Sequence, residues 1–89
     1  MRSLIWGSSF KRAYRRLIRS DPAMKSKVAE TLKKLVDNPF HPLLRTHKLS
    51  GRLKGLWACV VEYDCRVIFQ FLDDGDILLI DIGSHDEVY

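Results

Sequence analysis

A chain of 89 residues, 46% of them apolar, is sized for one domain over residues 1–89 and is too rich in core-forming side chains to stay disordered. No apolar run approaches the roughly 20 residues that cross a bilayer. The first 20 residues carry five basic side chains after Phe10 and no long apolar centre, so they do not read as a secretory signal, and a cytoplasmic protein with no membrane contact is expected. The net charge of +4 conceals a split: residues 1–54 hold fourteen Lys/Arg against three acids, residues 55–89 one Arg against eight acids. Such an N-terminal part suits a polyanion or an acidic partner, although solvated helix faces carry the same residues and charge alone does not choose.

Leu4-Ile5-Trp6, ended by Gly7, reads as a short strand, and Ser8 or Ser9 offers a helix cap. Phe10, Ala13, Tyr14, Leu17 and Ile18 then recur at helical spacing, with Lys11, Arg12, Arg15, Arg16 and Arg19 on the other face, up to Ser20. Asp21-Pro22 predicts a capped second helix with proline at its first position. Met24, Val28, Leu32 and Leu35 form its stripe, and Pro39 stops it. Residues 38–52 read as a basic loop bearing His41, Arg45, His47, Lys48 and Arg52. Three strands follow: Leu56 to Tyr63; Arg66 to Leu72, with Arg66, Ile68 and Gln70 on one face and Val67, Phe69 and Phe71 on the other; and Ile77 to Ile82 beyond the Asp73-Asp74-Gly75-Asp76 turn. Gly83-Ser84 opens a short tail with His85 and Tyr89.

The predicted class is α+β in the order β-α-α-β-β-β: two N-terminal helices on one face of a mostly antiparallel four-stranded sheet, the other face open. Cys59 and Cys65 form no CxxC pair and no second Cys/His cluster completes a metal site, so two reduced strand cysteines are expected.

Three stretches carry a resemblance. They are His47-Lys48-Leu49-Ser50-Gly51 followed by Leu56-Trp57; Glu62-Tyr63-Asp64-Cys65-Arg66-Val67-Ile68-Phe69; and Ile82-Gly83-Ser84-His85-Asp86-Glu87-Val88-Tyr89. In this order they resemble the RelE/ParE toxin superfamily, with a leucine and glycine before an aromatic strand, an arginine opening the next strand, and a tail histidine before a final aromatic. The chain looks most like the YafQ branch, whose histidine before Leu-x-Gly, aspartate before the arginine strand and late histidine fall on His47, Asp64 and His85. It departs from its relatives at Val60, where that branch has a histidine. It also departs at Trp57 and Cys59, where the RelE branch has lysines, and at Leu43, where the YoeB branch has an acid.

The resemblance implies a type II toxin that cuts mRNA on the ribosome by attack of the RNA 2′-hydroxyl, with no metal and no cofactor, and that a cognate antitoxin silences. It gives His85 as general acid, His47 or Asp64 as base or orienting group, Arg66 as a phosphate ligand and Tyr89 as a base-stacking aromatic. Lys48, Arg52 and Lys54 add RNA-binding charge, and the basic helix faces would meet ribosomal RNA. For Arg66 a salt bridge to Glu62 is the competing reading, and for Tyr89 a frayed end. The same fold also serves ParE-like toxins that inhibit DNA gyrase and cut nothing, and a degenerate member would bind antitoxin alone. The set His47, Asp64, Arg66, His85 and Tyr89 favours the endonuclease.

Overall fold

A computed structural model describes residues 2–89. Strand β1 (Leu4–Trp6) leads into helices α1 (Ser8–Ser20) and α2 (Met24–Asp37), then strands β2 (His47–Lys48), β3 (Trp57–Glu62), β4 (Cys65–Phe71) and β5 (Ile77–Gly83), and a final turn of helix, α3 (His85–Val88). Short 3-10 turns at Pro42–Leu44 and Gly51–Leu53 interrupt the loop between α2 and β3. The five strands lie in the order β1-β5-β4-β3-β2, antiparallel except for the β1–β5 pair.

The predicted α+β class and the helix-on-sheet arrangement hold. The sheet has five strands, not four: His47 and Lys48 pair antiparallel with Ala58 and Trp57. Two residues carry no alternation, so β2 owes its existence to the β3 edge beside it. Two helix caps also differ from expectation. Gly7 is the N-cap of α1, while the Ser9 hydroxyl donates to the Ile80 carbonyl at 2.7 Å. Asp21 closes α1 through its N–H, and its carbonyl starts a turn of which Ala23 is the last residue before α2.

The β1-to-α1 connection works because residue 7 is glycine. Its N–H donates to the Leu79 carbonyl at 3.0 Å, and a Cβ there would sit 2.6 Å from that same oxygen. The backbone of β1 can thus lie against β5 only without a side chain.

The stripes of α1 and α2 pack on one face of the sheet, burying Phe10, Val28 and Leu35 against Val67, Phe69, Ile77 and Leu79. Cys59 and Cys65 sit in this core as free thiols. Burial pushes Cys59 up to about 12 and Cys65 to about 11, so neither is a nucleophile near neutral pH.

The opposite face is not open. Ala58, Ile68 and Val88 are buried there, with Leu49, Leu56, Ile80 and Tyr89 packed around them. The cover is α3, which folds back beneath the sheet and seats Val88.

Candidate active site

Pairing register decides which side chains share this second face. His47 stands opposite Ala58, and Arg66 opposite Val60, so His47 and Arg66 fall on the face of Ala58 and Ile68. The alternation of β4 thus places Arg66 with Ile68 and Gln70, as its sequence pattern requires.

His47 is exposed on the sheet edge, and its Nδ1 lies 2.9 Å from the Arg45 carbonyl oxygen. A carbonyl only accepts, so Nδ1 carries the hydrogen and the neutral ring keeps its lone pair on Nε2. Arg45 adopts a left-handed conformation (φ 50°) at the end of the Pro42–Leu44 turn, which brings its carbonyl beneath the imidazole.

A groove of about 400 Å³ runs past this ring, lined by His47, Lys48, Leu49, Ser50, Arg52, Leu53 and Tyr89. A second groove of about 400 Å³ shares Lys48, Leu49 and Ser50 and continues to Lys54 and Trp57. Lys48 spans both, with its ammonium 5.6 Å from the centre of the Trp57 ring. Trp57 itself packs into the helix-side core and edge-on against Phe40 and Phe71, so it serves as sheet structure. Arg52, Lys48 and Lys54 give these grooves a cationic rim.

The tail supplies the other wall. Ser84 caps α3, and the Ser84/Glu87 pair closes a capping box. His85 opens the helix and Tyr89 follows it one turn later. Their rings touch edge to face, with centroids 4.4 Å apart. Arg52 Nη2 lies 3.4 Å from the Tyr89 main-chain oxygen. The end is therefore held, not frayed. The Tyr89 hydroxyl is buried without a hydrogen-bond partner among the described residues, and burial raises its pKa while Arg66 nearby opposes the rise.

Arg66 does not pair with the Glu62 carboxylate, which binds Lys27 at 2.8 Å instead. Its Nη1 lies 2.8 Å from the main-chain oxygens of Glu62 and Tyr63 and 3.3 Å from that of Cys65, bracing the β3–β4 turn. Asp64 is exposed on that turn and lines neither groove. The structure therefore brings His47, Lys48, Arg52 and Tyr89 to one groove, sets His85 against the Tyr89 ring, Lys54 on the adjoining groove and Arg66 on the same sheet face, and leaves Asp64 apart. Ser50 and Leu53 were not foreseen as groove walls, since nothing in their residue types marks them. The Ser84/Glu87 cap was overlooked, although its S-x-x-E spacing is legible.

Over residues 2–89 the chain matches the family described as "Bacterial toxin of type II toxin-antitoxin system, YafQ". Among solved structures it resembles YafQ from E. coli strain BL21(DE3) at 20% identity, with a TM-score of 0.82 and coverage of 100% of this chain and 99% of that one. YafQ in the E. coli DinJ-YafQ toxin-antitoxin complex matches at 20% identity and a TM-score of 0.79, covering 99% and 97%. A conserved hypothetical protein from Helicobacter pylori is 27% identical, with a TM-score of 0.78 and full coverage of both chains. No curated protein matches the sequence.

Proposed function

The chain belongs to the YafQ family of bacterial type II toxins, and on that premise we propose that it is a ribosome-dependent mRNA endonuclease, a single toxin domain acting in the cytoplasm. The observation that carries the reading is a groove lined by His47, Lys48, Arg52 and Tyr89, with the His85 ring set against that of Tyr89.

The reaction needs a base, an acid and cations. His47 Nε2 takes the 2′-hydroxyl proton as the 2′-oxygen bonds to phosphorus. The P–O5′ bond breaks, and His85 gives its proton to the leaving 5′-oxygen. The products are a 2′,3′-cyclic phosphate and a free 5′-hydroxyl, and RNA is required because DNA lacks the attacking group. Arg66 steadies the charge on the phosphorane through Nε and Nη2, which have no protein partner among the described residues. Lys48, Arg52 and Lys54 hold the flanking phosphates. Tyr89 packs against the base beside the scissile bond. Asp64, exposed on the turn that Arg66 braces and away from both grooves, is not the base.

The basic faces of α1 and α2 would lie against ribosomal RNA. A cognate antitoxin would silence the toxin by covering the cationic grooves, as DinJ binds YafQ in the E. coli complex.

The test is induction of the chain in cells lacking antitoxin, with mRNA 5′ ends mapped against the reading frame. Cuts that require translation and disappear with His85→Ala are expected. Growth arrest with intact mRNA and an induced DNA-damage response would instead favour a gyrase-directed toxin, and neither arrest nor cuts a degenerate one.

A further inference from the structure

A four-residue helix cannot hold itself in water, because it makes too few hydrogen bonds to offset nucleation. Yet α3 carries both His85 and Tyr89, so something outside its own ladder keeps it in place. Val88, buried against Ala58 and Ile68, is one fastener. The other is polar. Glu87 Oε1 accepts the Ser84 N–H at 2.8 Å, and the Glu87 N–H donates to Ser84 Oγ at 3.3 Å. The Glu87 side chain also folds across Gly83, where an added Cβ would lie 2.9 Å from Oε1 and 3.2 Å from the Glu87 Cβ. Glycine at 83 thus leaves room for this carboxylate.

Residues two apart on a helix project in nearly opposite directions. Glu87 accordingly faces α1, lining a hollow with Ala13, Arg16 and Leu17, while His85 lies against Tyr89, which lines the groove. Glu87 does not line the groove and is not placed to touch RNA. Resting on the endonuclease reading, we infer that Glu87 is a positioning residue: through the cap it makes with Ser84, it fixes the angle at which His85 and Tyr89 meet the substrate. The cap needs an acceptor oxygen, not a charge.

The experiment uses the full chain with Glu87→Ala and Glu87→Gln, each measured in two ways. One is the ring-current shift that Tyr89 imposes on the His85 ring protons, read by NMR without substrate. The other is cleavage of a synthetic mRNA on purified translating ribosomes across a pH series. Glu87→Ala is expected to lose the ring-current shift and about tenfold to a hundredfold in cleavage rate at an unchanged melting temperature. Glu87→Gln keeps an acceptor and is expected to retain both, with the pH–rate profile of the original chain. An unaltered His85 shift in Glu87→Ala overturns the inference, as does equal loss in Glu87→Gln, which would make the charge itself essential. Loss of the shift in Glu87→Ala, with no cleavage even by the original chain, supports the positioning and overturns the endonuclease reading instead.

Discussion

On the helix-covered face of the sheet, Phe10, Leu35, Val67, Phe69, Ile77 and Leu79 are 0% exposed; on the other, the buried apolar cluster among the described residues is Ala58, Ile68 and Val88, and His47, Arg66, His85 and Tyr89 stand around it. The first face draws on two amphipathic helices and three strands. The second relies on one turn of helix and a few neighbouring side chains. The hydrophobic stabilisation, which scales with apolar area removed from water, therefore lies overwhelmingly on the first. The residues of the proposed site are gathered on the second, where exposed histidines and cations cost the fold little. A small toxin can divide its labour this way because a sheet shows alternate residues to opposite sides, so β4 serves the core with Val67 and Phe69 and the site with Arg66.

The sharpest way to break this comparison is to cut one residue from each face. Phe69→Ala should remove about 3–5 kcal/mol of stability in a denaturant titration. His85→Ala should shift stability by no more than about 0.5 kcal/mol, while lowering mRNA cleavage roughly 10²- to 10⁴-fold. Comparable stability losses for the two would mean that the faces are one cooperative unit.

Tyr89→Phe probes the second face with the opposite sign. The phenol oxygen is buried with no partner among the described residues, and an unsatisfied buried hydroxyl costs about 1–3 kcal/mol. Its removal should raise the melting temperature, with the His85 contact to the ring retained. A drop would show that the hydroxyl has a partner in solution.

The smallest effect belongs to the seam between the faces. Asp81 on β5 has its carboxyl raised above the usual value, chiefly by burial, although the Ile82 N–H and Arg16 oppose the rise. A carboxyl with a raised folded pKa holds its proton more tightly in the folded state. Its ionisation therefore lowers stability as pH rises through that pKa. Asp81→Asn keeps the acceptor for Ile82 and should gain slightly in stability at neutral pH. That gain should vanish below the unfolded carboxyl pKa, as melting curves across an acid series would reveal.

Much of the helix-covered face was legible. Phe10 to Ile18 and Met24 to Leu35 recur at helical spacing, and β4 alternates, because burial against a single partner surface imposes a period on the sequence. The features that were not legible depend on neighbours. His47–Lys48 becomes a strand only where Trp57 and Ala58 offer free backbone groups. The tail becomes a helix only when Val88 finds Ala58 and Ile68. For the site, His85 and Tyr89 were singled out, but their ring contact follows from the tail being a helix, which was not foreseen. That His47 and Tyr89 line one groove, moreover, joins the β2 edge to the end of α3 and has no local signal. Arg66 was placed on the right face, but its grip on three main-chain oxygens follows from the turn geometry, which residue types do not encode.

The β1–β5 pairing has a temporal consequence. Strands β3, β4 and β5 are neighbours in sequence and can zip in order, whereas the Ser3 N–H meets the Asp76 carboxylate 73 residues further on. Closing so large a loop delays that contact until the meander exists. Since α1 also rests on β5, a chain emerging from the ribosome cannot dock its first strand and first helix until residues 77–83 have left the exit tunnel. Any prematurely terminated product that stops short of Ile77 therefore lacks the strand on which β1 and α1 dock.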